Sequence, residues 1–170
     1  NVNAGTTNMS GATKLSKFLK KKQLNCPIGY IGSHVQALPI QTMEEETSVD
    51  VVFTNEGVYS LRNILSLKEF DTSSLKKIKG IAYRINEKII INEPEKVVPQ
   101  EKMDIDLPGY AWDLLPFKKT PFDMYRSPMW HAEYDENKRS PYAAIQTSLG
   151  CKFGCDFCMI NMINRNNNNE

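Results

Sequence analysis

Apolar and polar positions alternate in blocks along the first eighty residues, and their spacing predicts helices separated by short strands. A helix is predicted near 11–23, because its apolar residues recur at spacings of three, four and seven while lysines fill the opposite face. The residues predicted to face inward are Ala12, Leu15, Phe18 and Leu19. Apolar runs predict strands near 28–32 and 49–54.

Two further helices are predicted between and after these strands. Pro39 can open a short helix in "PIQTMEEE", since proline suits the first helical position. A third amphipathic helix is predicted near 57–67. Its residues predicted to face inward are Val58, Leu61, Ile64 and Leu65. Strands separated by helices predict an α/β fold, a partial Rossmann-like domain whose parallel sheet carries helices on both faces.

The pattern changes at Gly80. The segment "GIAYRINEKIIINEP" predicts a β-hairpin near 80–92, with its turn at Asn86, Glu87 and Lys88. A proline-rich stretch follows over 93–142, in which only "PGYAWDLLP" is expected to be ordered, as one helical turn. Its many aromatic residues argue against a disordered linker, so we expect it to wrap apolar surface elsewhere.

Composition and charge narrow the class of protein. The 170 residues are 41% hydrophobic and 24% charged, which is ordinary for a globular chain, and 21 basic against 20 acidic side chains leave a net charge of +1. This balance gives no support for a nucleic-acid-binding surface or for an anionic membrane partner, so we predict no nucleic-acid partner. No apolar stretch approaches the roughly 20 residues of a membrane span, and the first residues lack the pattern of a secretory signal.

Three of the four cysteines lie together in "SLGCKFGCDFC", directly after a predicted strand at 143–149. Cys151, Cys155 and Cys158 have the spacing C-x3-C-x2-C. Clustered thiolates bind soft metals, and three of them can hold three irons of a cubane iron–sulfur cluster while the fourth iron stays open. This clustering does not suit a secreted disulfide framework, so a reduced, cytoplasmic setting is expected.

Two other interpretations of these cysteines stay open. A structural zinc site would need a fourth ligand, and no other cysteine or histidine has conventional zinc-ribbon spacing. The residues concerned are Cys26, His34 and His131. Unliganded thiols are the second alternative. Cys26 is expected to be a small buried hydrophobic residue.

The cysteine spacing, with Phe157 before the last cysteine and "TSLGC" at the end of the strand, resembles the radical S-adenosylmethionine superfamily. The resemblance implies that Cys151, Cys155 and Cys158 hold a 4Fe–4S cluster, to whose open iron S-adenosylmethionine binds. Phe157 would then lie beside the adenine. The implied reaction cleaves S-adenosylmethionine and generates a 5′-deoxyadenosyl radical, which abstracts hydrogen from a substrate.

The preceding residues resemble a narrower group, the cobalamin-binding-domain radical enzymes. The resemblance rests on the order of "IGYIGSHVQALPIQTM", "VDVVFTNEGVYSLRNIL", "KKIKGIAYRINEKIIIN" and "PGYAWDLLP". It implies that Gly32 and Ser33 contact the corrin tail of cobalamin. This chain departs from the family at Gly32-Ser33, where a double glycine is usual, and at 55–58, where "NEGV" replaces a "GEGE"-like turn.

The residues of this segment also have interpretations that need no ligand. Gly32 can simply end its strand, and Glu56-Gly57 can simply start a helix. His34 is not assigned as a cobalt ligand, since the segment that supplies a lower-axial histidine in many cobalamin proteins is absent from this chain.

We therefore predict three regions and a radical enzyme. They are the C-terminal part of a cobalamin-binding-like domain at 1–79, a hairpin and aromatic, proline-rich linker at 80–142, and the first strand and cluster loop of a radical S-adenosylmethionine partial (β/α) barrel at 143–170. The chain is expected to be a fragment at both ends, because it starts without methionine and its cysteine motif lies a few residues from the last residue.

The predicted reaction is cobalamin-dependent methyl transfer or a rearrangement, on a small-molecule substrate. An electron donor such as flavodoxin or ferredoxin is the expected protein partner, and no catalytic residue is assigned. A radical methylthiotransferase acting on tRNA or protein is one alternative, but its α/β domain would carry three more cysteines, where this chain has only Cys26. A non-enzymatic metal- or cobalamin-binding module is the other.

Overall fold

The computed structural model describes residues 2–3, 8–22, 26–116, 119, 153 and 155–158. The predicted strand at 143–149 and Cys151 lie outside these described residues. The strands are β1 (Val2–Asn3), β2 (Gly29–Ile31), β3 (Val51–Phe53), β4 (Ile81–Ile85) and β5 (Lys88–Ile91). The α-helices are α1 (Met9–Lys21), α2 (Ser33–Ala37), α3 (Pro39–Glu45), α4 (Val58–Leu65), α5 (Thr72–Leu75) and α6 (Met103–Asp106).

The five strands form one mixed sheet in the order β1-β2-β3-β4-β5. The first three strands are parallel, with Tyr30 opposite Val52, and the hairpin β4–β5 continues the sheet antiparallel to β3. The hairpin turn consists of Asn86 and Glu87, both at positive φ, as a two-residue type I′ turn requires. The predicted α/β, Rossmann-like architecture is confirmed, and the antiparallel hairpin belongs to the same sheet as the parallel strands.

Helices cover both faces of the sheet, as predicted. On one face α1, α2 and α3 pack over a core that includes Tyr30, Val52 and Ala82. On the other face α4 and α5 pack over Phe53 and Tyr83. Alternate strand residues thus point into two separate cores, because successive side chains of a strand face opposite sides. Within the described part of the chain, no helix is long and apolar enough to cross a membrane.

Two of the four apolar residues predicted to face inward from α1 are instead exposed. Leu15 is 46% exposed and Phe18 is 53% exposed, while Ser16 is buried. The Ser16 hydroxyl lies 2.7 Å from the Tyr30 hydroxyl and 2.8 Å from the Ser48 hydroxyl. This buried polar network fixes the rotation of the helix about its axis, and the periodicity of apolar residues alone did not indicate that rotation.

The structure differs from the sequence prediction at two places. One residue of α4 that was predicted to face inward is exposed, and the segment after β5 contains a helix that was not predicted. Leu65 is 75% exposed, because it lies in the last turn of α4 on the solvent side.

After β5, a 3-10 turn at Gln100–Lys102 leads into α6. Asp106 at the end of α6 accepts hydrogen bonds from the Tyr59 hydroxyl at 2.6 Å and from the Arg62 guanidinium at 3.0 Å. These long-range contacts stabilise a helix too short to form by itself.

The chain divides into two compact units, and the second comprises residues 107–150. Of this unit the structure describes residues 107–116 and 119. The predicted helical turn in "PGYAWDLLP" is confirmed as a 3-10 turn at Trp112–Leu114. The rings of Tyr110 and Trp112 lie 5.1 Å apart between centroids.

Candidate functional site

The last two cysteines of the motif lie at the two ends of a tight turn. The backbone N–H of Cys158 donates to the carbonyl of Cys155 at 3.0 Å, which closes a four-residue turn. Asp156 and Phe157 form the corners of this turn, and the Phe157 side chain is 94% exposed. The C-x2-C spacing therefore brings both cysteine backbones close together through local structure alone.

The donor set at this turn suits a soft metal. Cys155 and Cys158 are free thiols, and Cys158 is the less exposed of the two. Cys151 lies outside the described residues, and among the described residues no three His, Cys, Asp or Glu side chains are grouped so that they could hold a metal ion. Paired thiolates on one turn are ligands of the type that iron–sulfur clusters require.

The fourth cysteine is not where it was expected. Cys26 was predicted to be a small buried hydrophobic residue, but its side chain is exposed. It lies three residues before β2, in the connection that follows α1. His34, which was not assigned as a ligand, is half-buried in α2, and His131 lies outside the described residues.

A second candidate region lies at the carboxyl ends of the parallel strands, where ligands of α/β sheets commonly bind. Gly32 and Ser33 directly follow β2, and residues 54–57 directly follow β3. Since β2 and β3 are parallel, the two loops lie at the same edge of the sheet. Gly32 has φ 139° and ψ 170°, a conformation essentially restricted to glycine. The backbone therefore accounts for glycine at this position whether or not a ligand binds there.

The turn after β3 packs closely against the end of β2. Gly57 has φ +79° and is the N-cap of α4, as expected for a helix start. A Cβ atom at this position would lie 2.5 Å from Cδ1 of Ile31. Gly57 thus meets two requirements, a left-handed backbone and close contact with the neighbouring strand.

Two side chains of this turn contact a segment that lies about forty residues later in the sequence. Asn55 is buried, and its Nδ2 donates to the Glu95 carbonyl at 2.7 Å. The half-buried Glu56 carboxylate accepts a hydrogen bond from the backbone N–H of Val98. Burial raises the pKa of Glu56, and the hydrogen bond from Val98 partly opposes this effect. Sequence reasoning missed both contacts, since no local pattern indicates which distant segment returns to this turn.

The fold and these two regions define an α/β domain whose parallel strands β2 and β3 end in glycine-containing loops. In the sequence, this domain is followed by a three-cysteine motif. No protein-family model matches the chain. The chain is 30% identical over 92% of its length to an uncharacterised methyltransferase of Pyrococcus horikoshii. It is 26% identical over 85% of its length to the anaerobic magnesium-protoporphyrin IX monomethyl ester cyclase of Synechocystis, and 24% identical over 85% to the cobalamin-dependent radical SAM methyltransferase TokK of Streptomyces tokunonensis.

These similarities support a relationship with the radical S-adenosylmethionine and B12 superfamily, at low identity. All three relatives are named as enzymes. The chain covers 30%, 25% and 19% of the lengths of these relatives, so it corresponds to less than a third of each of them.

Proposed function

We propose that this chain is part of a radical S-adenosylmethionine enzyme whose 4Fe–4S cluster is held by Cys151, Cys155 and Cys158. The observation that carries the proposal is the C-x3-C-x2-C motif, with its last two cysteines at the ends of one turn. Similarity to a cobalamin-dependent radical SAM methyltransferase supports the same class.

The roles of the chain's own residues follow from their chemistry. When bound, the cluster supplies one electron for cleavage of S-adenosylmethionine, and cobalamin supplies a methyl group or organometallic chemistry. The thiolates of Cys151, Cys155 and Cys158 would hold three irons of the cluster, and one iron would be left without a protein ligand. Phe157 presents an exposed ring next to Cys158, which suits stacking against an adenine.

The proposed cobalamin site lies at the carboxyl ends of the parallel strands β2 and β3, with Gly32 and Ser33 as contacts of the corrin tail. The three proposed regions remain 1–79, 80–142 and 143–170, although the hairpin shares the sheet of the first region. Methyl transfer to a small molecule is the favoured reaction, because two of the three relatives are named methyltransferases. Cyclisation is the second candidate, favoured by the similarity to the Synechocystis cyclase. A flavodoxin or ferredoxin is the proposed electron donor.

Iron analysis of cysteine variants tests the cluster. The protein is purified and reconstituted anaerobically with iron and sulfide, and iron, sulfide and zinc are measured in Cys151→Ala, Cys155→Ala, Cys158→Ala and Cys26→Ala. Each motif variant is expected to lose most of its iron, since water is a poor substitute for thiolate at this soft site. Cys26→Ala is the matched control, because it removes an exposed thiol outside the motif.

The zinc alternative predicts a different result. A closed structural zinc site needs four protein ligands, and Cys26 is the only thiol outside the motif. Zinc as the bound metal, with equal loss from Cys26→Ala and from the three motif variants, would refute the radical-enzyme proposal.

A further inference from the structure

Asn55 occupies the first position of the turn that resembles "GEGE", where the family pattern has glycine. Its side chain is 6% exposed and makes contacts that glycine cannot make. We propose that Asn55 is a positioning residue. It holds the loop after β2, the turn after β3 and the segment after β5 in fixed positions at the carboxyl ends of the parallel strands.

The first contact shapes the turn itself. Asn55 Oδ1 accepts a hydrogen bond from the backbone N–H of Gly57 at 2.9 Å. This is the two-residue pattern of an Asx turn. It gives a partner to an N–H at the start of α4, where no helical carbonyl is available. The carboxamide therefore supports the left-handed conformation of Gly57.

The second contact attaches the segment that follows β5. Asn55 Nδ2 donates to the carbonyl of Glu95 at 2.7 Å, and the next residue of the turn, Glu56, accepts from the N–H of Val98. Two consecutive turn residues thus hold positions 95 and 98. Asn63 of α4 also reaches Glu95, but its amide contacts the Glu95 carboxylate at a longer distance of 3.4 Å.

The third contact reaches the other loop of the edge. The backbone carbonyl of Asn55 accepts a hydrogen bond from Nε2 of Gln36. Gln36 lies in α2, the helix that begins at Ser33 directly after Gly32. The loop that carries Gly32 and Ser33 is therefore connected to the turn after β3 through Asn55.

A single buried residue thus fixes three chain segments at the edge where the proposed function places cobalamin, and the inference rests on that proposed function. Removing its amide leaves the Gly57 N–H and the Glu95 carbonyl without their partners. Loops that lose such contacts must be ordered when the ligand binds, and this ordering lowers the affinity.

The test compares Asn55→Ala and Asn55→Asp with Asn63→Ala as the matched control. Hydroxocobalamin is titrated into each protein by absorbance, and amide hydrogen exchange is followed without ligand. Asn55→Ala is expected to weaken binding about tenfold, which corresponds to about 1.4 kcal/mol of ordering that the ligand must then provide. Faster exchange is expected at Gly57. Asn55→Asp keeps the acceptor for Gly57 and loses the donor to Glu95, so it should retain protection at Gly57 while binding weakens.

Iron content and thermal unfolding are measured in parallel. Iron content is expected to stay unchanged, and Asn55→Ala is expected to unfold at a lower temperature but still in one cooperative transition, which shows that the fold is retained. Equal hydroxocobalamin affinity and equal exchange at Gly57 in Asn55→Ala and Asn63→Ala would overturn the positioning role alone. Absence of hydroxocobalamin binding to the unsubstituted protein, with iron retained, would overturn the cobalamin site and this inference with it.

Discussion

Two fully buried tyrosines provide a matched pair that tests how the two cores are stabilised. Tyr30 in β2 and Tyr83 in β4 are both inaccessible to solvent, and they lie in the two different cores. The Tyr30 hydroxyl lies 2.7 Å from the Ser16 hydroxyl. The Tyr83 hydroxyl has no hydrogen-bond partner among the residues that the structure describes. Replacement by phenylalanine removes only the hydroxyl in each case.

The two replacements are expected to have opposite signs. Tyr30→Phe removes a buried hydrogen bond, which costs about 1 kcal/mol, and the Ser16 hydroxyl keeps its contact with Ser48. Tyr83→Phe removes a buried, unpaired polar group, whose desolvation costs about 1–3 kcal/mol. We therefore expect Tyr83→Phe to raise the free energy of unfolding by about 1 kcal/mol and Tyr30→Phe to lower it by a similar amount.

Urea denaturation measures the difference. With a slope near 2 kcal/mol per molar urea, the two midpoints should lie about 1 M apart, on either side of that of the unsubstituted protein. Burial raises the pKa of both hydroxyls. The folded state therefore favours the neutral phenols. Their contribution to the free energy of unfolding is complete below the pKa of the unfolded state, near 10, and is lost as the pH rises above that value. Each variant should lose less stability above pH 10. A midpoint for Tyr83→Phe below that for Tyr30→Phe would refute the reasoning.

Two predictions concern the turn after β3. Gly57→Ala is expected to lower the free energy of unfolding by about 1–2 kcal/mol, because alanine strains the left-handed backbone at φ +79° and its Cβ meets Ile31; an unchanged urea midpoint would contradict this. Glu56→Gln keeps an acceptor for Val98 and removes a carboxylate whose raised pKa favours the neutral form. The stability contributed by the neutral carboxyl of Glu56 is complete below its pKa in the unfolded state, near 4.5, and is lost as the pH rises. Glu56→Gln should therefore be more stable than the unsubstituted protein near pH 7. An unaltered pH dependence of the urea midpoint between pH 4 and 7 would contradict the second prediction.

The sequence by itself determined the elements whose causes are local. Apolar periodicity predicted α1, β2, β3 and α4, since each depends on side chains a few residues apart. The turn lies where the sequence predicts it, between two apolar strands, and Asn86 is a residue type that tolerates positive φ; the predicted turn also included Lys88, which instead begins β5. The cysteine turn is local as well, because its hydrogen bond joins Cys155 and Cys158 across two residues.

Only the tertiary structure decided which way these elements face and what holds them. The hydrogen bond between the Ser16 and Ser48 hydroxyls spans 32 residues, and it fixes a rotation of α1 that leaves Phe18 exposed to solvent. The contact from Asn55 to Glu95 spans 40 residues and fixes the strand edge. Such contacts depend on where the chain returns in space, which hydrophobic spacing within one element cannot specify. The order of α1, β2, α3, β3, α4 and the β4–β5 hairpin was therefore predictable. The short helices α2, α5 and α6 were not predicted, and the rotation of α1 and the partners of Asn55 were determined by packing between segments distant in sequence.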